Sequence, residues 1–497
     1  MKKIKNLLPL IYLIFVTFWL RLTNLSYSNY QGDEIKALYR PQAGENIIDF
    51  LLSQRKGPVQ FLVTYFMSIF NPEYDNEFLI RLPFTVAGIL AIYFFYKLVK
   101  LEFGFQIAFY SSLFLSLNGL FVAFSRIVQY QSLVILFSIL TLYFLSLSTK
   151  YEKWRLYGLY FGMLSWSLSI LSHYDGVFIA PFVFYLIYRW YVDSNYSLNS
   201  EKLKLLSYAF SILLISLSIF YLPFFFSISE STKAYWTDRI SKQDVSSTRI
   251  FMNYNPSFII YIYLILGLLG LFRIKQNFSV LLWFLFPFLS LEILVSNSGT
   301  HIYTYVLPLC ILMAFGLKVL QAFTLNKFPK QFKYINLVFS SFIYISFFLF
   351  SNLLFVDHAK EYPWETKNIL FMKIKRQSRQ SLFGFPYYRH WEKIGAYLKS
   401  IGNNGYFITN EKASITRYYI PASFKNIELQ PNENKPASEI YVIYIKNPQN
   451  GNTKILNKES SYWEERYQPV KSFSNKDIVA VIYRLSASDW EKEVNSQ

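Results

Sequence analysis

Residues 80–97 read IRLPFTVAGILAIYFFYK, an apolar and aromatic run with a cation near each end and no charge between them. A helix rises about 1.5 Å per residue, so a run of this length crosses most of a hydrocarbon layer about 30 Å thick. Working outward, the pattern recurs at about 7–24, 104–122, 130–148, 155–172, 176–191, 203–226, 257–272, 279–296, 302–321 and 334–356, eleven segments in all. The chain therefore reads as a polytopic α-helical membrane protein. Composition agrees: 53% of the 497 residues are hydrophobic and only 16% are charged, against about 25% charged in soluble domains.

Beyond Val356 the apolar runs stop and the chain becomes mixed and polar. This predicts a transmembrane domain over 1–356 and a soluble α/β domain over 357–497, extracytoplasmic by the charge distribution below. In the tail, HWEKIGAYLKSIG (390–402) has apolar residues at helical spacing and a glycine stop, while GYFITN, IYVIYIK and DIVAVIYRL are rich in β-branched and aromatic residues and read as strands.

A net charge of +18 would suit a nucleic-acid binder, but its distribution points elsewhere. With the N-terminus inside, the inward ends hold 17 cations: Lys2, Lys3, Lys5; Lys97, Lys100; Lys150, Lys153, Arg155; Arg189, Lys202, Lys204; Arg273, Lys275; Lys318, Lys327, Lys330, Lys333. The outward segments before the tail hold nine, namely Lys36, Arg40, Arg55, Lys56, Arg126, Lys233, Arg239, Lys242 and Arg249, or eleven with Arg21 and Arg81 at span ends. Under the positive-inside rule this places the N-terminus in the cytoplasm and the tail outside a plasma-type membrane. Met1–Leu25 has a basic start and a long apolar run without a small-residue cleavage site, and reads as a retained first span. The single cysteine, Cys310, excludes a disulfide framework or cysteine zinc site within one chain.

Two outward loops are long, 25–79 and 227–256. Within the first, PVQFLVTYFMSIF (58–70) is apolar but too short to span, and suits a helix lying at the interface. The residues that could carry chemistry gather on this outer side. Asp33-Glu34, in YQGDEIKALYR, could divide proton abstraction from holding a cation or donor; the pair could equally be solvated or mark an acidic helix start. Arg55 and Lys56 precede the interfacial helix, where a lipid phosphate or ordinary headgroups would meet them. Arg126, in AFSRIVQYQ, is the only cation of its outward turn and calls for a partner such as a phosphate or an acid. His173, Tyr174 and Asp175 crowd a short turn between apolar segments, either as a pocket or as a helix cap. His301, followed by Tyr303, opens a later segment as a phosphate or metal ligand or a structural histidine. The chain has no GxxxxGK[ST] or GxGxxG loop for a soluble nucleotide and no HExxH helix. An activated donor on this side should be membrane-borne.

The order of these features resembles the GT-C glycosyltransferases of family 39, which include the protein O-mannosyltransferases and lipid A aminoarabinose transferases. The features are an acidic pair after the first span, a basic-Gly-Pro start to a short amphipathic segment, RLP at the second span and an arginine at the turn before the fourth. The resemblance implies a sugar transferase that uses a polyprenyl-phosphate donor and a protein, lipid or surface-glycan acceptor, with membrane lipids but no nucleic acid as partners. It implies Asp33 as the base and Glu34 beside it near donor or metal. Lys56 and Arg126 would contact donor phosphate, as would His301 at a basic-x-Tyr element. Arg55, Gln131, His173, Tyr174, Asp175 and Tyr303 would complete a pocket. Gln131 stands where relatives often have an acid, which removes one carboxylate. The sequence leaves the need for a divalent ion open, with Glu34 the candidate ligand. The competing class is a transporter or flippase of a lipid-linked substrate, which would place ionisable groups near the bilayer midplane and often show paired repeats.

Overall fold

The computed structural model describes residues 7–193, 199–241, 247–296, 298–364, 366–369, 372–375, 382–402, 404–427, 439–449 and 452–496. Lys2, Lys3, Lys5 and Lys242 lie outside the described residues. Contacts divide the chain into two compact units, Met1–Leu25 with Leu38–Val356, and Ser26–Ala37 with Asp357–Gln497.

The described part of the first unit is helical. Every one of the eleven apolar segments carries helix, but the expectation of about eleven uninterrupted spans needs correcting. Among the described residues, six helices are individually long and apolar enough to cross a membrane, Glu77–Phe103, Gln131–Lys150, Asn199–Ser227, Lys275–Leu294, Gly299–Lys327 and Phe332–Phe355. A seventh crossing results if the pair Ser247–Tyr254 and Ser257–Arg273, bent by 115°, is one broken span. The other segments are short or interrupted for local reasons. In 104–122, Asn118 ends the helix Phe105–Leu117 and caps Gly119–Phe124, its side chain accepting from the Leu120 N–H at 2.9 Å. In 176–191, a 3₁₀ turn over Tyr174–Ile179 takes up the first residues and leaves Ala180–Asp193 as α-helix.

Burial shows where lipid lies. Only 17% of the most apolar stretch of Asn199–Ser227 is inside the bundle, and Leu214, Ile215, Ile219, Leu222, Phe225 and Phe226 all point outward. An apolar face of this extent is untenable in water and ordinary in hydrocarbon. Gln131–Lys150 is the opposite, with 78% of its apolar stretch buried and its hydroxyls turned inward, Ser138 Oγ meeting Ser169 Oγ at 2.8 Å. Without a strong hydrophobic drive between helices, close backbone approach and such polar contacts do the packing. The protein is an integral, multi-pass membrane protein.

The helix Val59–Ser68 is the expected short amphipathic element, with an inverted pattern. It buries Gln60, Phe61, Thr64 and Met67 and exposes Leu62, Tyr65 and Phe66. A polar residue inside and apolar ones outside is the arrangement lipid selects.

In the second unit, Trp391–Ile401 is helical and the three expected strands form, flanked by others that the pattern did not single out. A hairpin pairs β1 (Thr366–Ile369) with β2 (Met372–Lys375). The main sheet comprises β3 (Gly405–Thr409), β4 (Phe424–Asn426), β5 (Ile440–Ile445), β6 (Pro469–Ser474) and β7 (Ile478–Leu485) in the order β4-β3-β5-β7-β6. β3 runs parallel to β4 and β5, and β7 antiparallel to β5 and β6. β5 is buried at all six positions, which is why IYVIYI is continuous rather than alternating.

Lys367, on β1, is 2% exposed and donates to the Asp357 carbonyl at 2.9 Å. Burial outweighs the pull of Asp357 and pushes its pKa down from 10.5 to about 8. Below about 8 both folded and unfolded chains carry this proton and the burial cost is felt in full. Between about 8 and 10.5 the unfolded chain holds more protons, so stability should rise with pH there and level off above. The melting temperature of the full chain, followed by tryptophan fluorescence, should show that rise, and Lys367→Met should flatten it. An equal rise in the variant would refute the assignment.

Candidate functional site

The helix Arg155–Ser172 ends where His173 adopts an extended backbone (φ −168°), and the chain re-enters the bundle through the 3₁₀ turn Tyr174–Ile179. His173 caps that turn, its Nδ1 accepting from the Asp175 N–H at 3.3 Å. Asp175 is 1% exposed. Its Oδ2 accepts from the Tyr303 hydroxyl at 2.8 Å and lies 2.7 Å from His301 Nδ1, while Oδ1 lies 3.1 Å from His173 Nδ1. The Tyr130 ring stacks on His173 at 4.0 Å and 8°, and Tyr174 packs on it at 3.8 Å. Two distant stretches of sequence thus converge on one buried carboxylate inside an apolar bundle.

Lys56 reaches the same place. Its Nζ donates to Gln129 Oε1 at 2.8 Å and lies 5.1 Å from the centre of the Tyr130 ring. Gly57 explains how: a Cβ there would sit 1.9 Å from the Leu171 carbonyl oxygen. Only a residue without a side chain lets the backbone beside Lys56 lie against the end of Arg155–Ser172, next to His173. Among the site residues expected from sequence, Lys56, His173, Tyr174, Asp175, His301 and Tyr303 are therefore brought together.

The others are placed differently. Arg126 has a partner, but it is neither an acid nor an open phosphate site. Its guanidinium is 6% exposed and donates to the carbonyls of Leu20, Thr23 and Asn24 at 2.9 to 3.2 Å, binding the otherwise unsatisfied C-terminal end of Leu7–Leu22. Gln131 begins the helix Gln131–Lys150 and is buried, with its Oε1 lacking a hydrogen-bond partner. Arg55 lies over the Tyr235 ring at 4.7 Å, a cation–π contact within the first unit.

Asp33 and Glu34 belong to the second unit, on the short helix Gly32–Ile35. The structure separates the pair. Glu34 is 1% exposed and closes a capping box, its Oε2 accepting from the Gln31 N–H at 2.9 Å. The Asp33 side chain is 41% exposed and paired with Lys36 at 3.3 Å. The acidic helix start, one of the two readings of this motif, describes Glu34; Asp33 keeps an accessible carboxylate.

Gln129 and Tyr130, which hold Lys56 and His173, were not expected. Their signal lay in VQYQ after Arg126, where polar and aromatic residues interrupt an otherwise apolar stretch.

Residues 56–221 match the family model of dolichyl-phosphate-mannose-protein mannosyltransferases. The fold resembles the crystal structure of ArnT from Cupriavidus metallidurans bound to undecaprenyl phosphate, with a TM-score of 0.56 and 10% identity over 96% of this chain and 97% of that one. The apo form of the same protein gives 0.54 and 10% over 98% of both chains. The archaeal oligosaccharyltransferase AglB from Archaeoglobus fulgidus, in complex with an inhibitory peptide and a dolichol-phosphate, gives 0.51 and 12% over 85% of this chain and 64% of that one. At these identities the structural likeness is one of fold. No curated protein matches the chain in sequence.

Proposed function

We propose that this chain is a polyprenyl-phosphate-sugar-dependent membrane glycosyltransferase, a reading supported by the dolichyl-phosphate-mannose-protein mannosyltransferase match over residues 56–221 and the ArnT-like fold, and that in it Lys56 receives the donor phosphate and Asp33 activates the acceptor. The observation that supports this most is the fixed ammonium of Lys56, held by Gln129 and Tyr130 beside a buried His–Asp–His–Tyr group. Polar groups of this density inside an apolar bundle are costly unless they serve a site. The lipid tail would lie along the apolar outer face of Val59–Ser68.

In the reaction, an acceptor oxygen forms a bond to the anomeric carbon as the bond from that carbon to the phosphate oxygen breaks. The electron pair leaves on polyprenyl phosphate, and the acceptor proton passes to Asp33. One displacement inverts the anomeric carbon. Lys56 stabilises the charge developing on the leaving phosphate, an effect magnified where water is scarce. Phosphate leaves readily, so no second carboxylate is required as an acid, consistent with Gln131 at its position. The proposed roles of Asp33 and its neighbour rest on their motif and on the exposure that distinguishes them. Arg126, committed to carbonyls, serves to hold the end of the first helix, eleven residues before Asp33 in the chain.

The cation distribution supports an active face outside the plasma membrane, with the tail extracytoplasmic and the shorter apolar helices completing further crossings as broken or tilted segments. The acceptor is then a protein, lipid or surface glycan. Purified protein given a radiolabelled polyprenyl-phosphate sugar and acceptor should transfer label. Lys56→Met should raise the donor KM about 10- to 100-fold, the worth of one charge-assisted hydrogen bond, with a smaller change in kcat. Movement of intact donor across vesicles without transfer would favour a flippase instead.

A further inference from the structure

We propose that His173, Asp175 and His301 form a binding site for a divalent transition-metal ion of the zinc class. Their ligand atoms, two imidazole nitrogens and a carboxylate oxygen, all lie within 4.8 Å of one another and all three residues are buried. Ligands of these types bind zinc at about 2.0–2.2 Å.

The electrostatics of the group ask for a cation. His173 Nδ1 accepts a hydrogen from the Asp175 N–H at 3.3 Å, so it carries no proton, and a metal ion would take its lone pair in place of that hydrogen. It faces Asp175 Oδ1 at 3.1 Å, and that oxygen is buried without a hydrogen-bond donor. Two electron-rich atoms held together away from water repel unless positive charge lies between or beside them. The Tyr303 hydroxyl, donating to Asp175 Oδ2 at 2.8 Å, orients the carboxylate as outer hydrogen bonds do for metal-bound groups.

Three protein ligands leave a fourth position open. Resting on the transfer reading above, that position takes a phosphate oxygen of the lipid donor, with Lys56 on the neighbouring Tyr130 ring. Lys56 disfavours a bare cation nearby, so the ion and an anionic donor should bind cooperatively.

The test uses the full chain, purified in detergent, stripped with chelator and reloaded with zinc or cobalt(II). One equivalent of metal should be retained, with visible cobalt bands of low coordination number. Asp175→Asn should weaken binding by more than about tenfold, and Tyr303→Phe, which removes no ligand, by about tenfold. Absence of cobalt bands in the folded wild-type chain overturns the site without recourse to any variant, as does undiminished binding in folded Asp175→Asn. Polyprenyl phosphate should shift the bands where inorganic phosphate does not; no shift overturns donor coordination. Metal binding that persists in a protein unable to transfer sugar would sink the transfer reading and leave the metal site standing.

Discussion

Asp33→Asn should lower kcat for sugar transfer by about 10²- to 10⁴-fold, the range a positioned general base contributes, with the donor KM little changed. The substitution keeps size and polarity but removes proton affinity. Asp33 is half-exposed and its ion pair with Lys36 is a surface pair, worth at most about 1 kcal/mol, so folding should survive. The fold of this segment instead depends on its neighbour, since Glu34 and Gln31 close the helix start between them. Glu34→Gln therefore serves as the contrast: it should cost stability through the weakened capping box and leave the chemistry of the folded fraction largely intact. Initial rates at saturating donor, compared with the folded fraction from size-exclusion chromatography, separate the two. Full activity in Asp33→Asn would remove Asp33 from the mechanism, and a loss confined to Glu34→Gln would exchange their roles.

The membrane architecture was legible because hydropathy is a long-range average, insensitive to any single residue. What it could not show was continuity. Asn118 ends one apolar helix and starts another through a single side-chain cap, and averaging over a window hides a cap. The tail's strands were readable where β5 and β7 carry runs of six apolar or aromatic residues, IYVIYI and IVAVIY; β6, PVKSFS, with only Phe473 buried, carried too little apolar signal.

The site was legible residue by residue and opaque as a constellation. Lys56, Asp175 and His301 each stood out as an ionisable group beside an apolar run, but their meeting depends on how the turn Tyr174–Ile179 packs against Gly299–Ile302 and the start of Tyr303–Lys327. Arg126 shows the reverse. The reasoning that an isolated cation near hydrocarbon needs a partner held, and the partner is backbone carbonyl. Sequence displays side chains and conceals unsatisfied helix ends, so that outcome was out of reach.

Gly57→Ala should be far more damaging to activity than its one added carbon suggests. The new Cβ would lie 1.9 Å from the Leu171 oxygen and 2.6 Å from its carbonyl carbon, both backbone atoms that no rotamer change can move. Either the segment before Val59–Ser68 or the end of Arg155–Ser172 must shift by more than about 1 Å, and overpacking of this kind costs about 1–3 kcal/mol. The effect on activity should exceed the effect on stability. Lys56 precedes Gly57 and His173 follows Leu171 by two residues, so the displacement falls between the ammonium and the group beside it. A misplacement of about 1 Å can cost about 10²-fold in rate. Gly267→Ala is the matched control, since its Cβ would meet only Leu309 Cδ1, at 3.0 Å, the far end of a side chain that can turn aside. The expected result is near-normal transfer for Gly267→Ala and, for Gly57→Ala, a loss of kcat/KM of about 10²-fold in protein that still inserts. Equal activity in the two variants would mean that the close approach at Leu171 does not position Lys56.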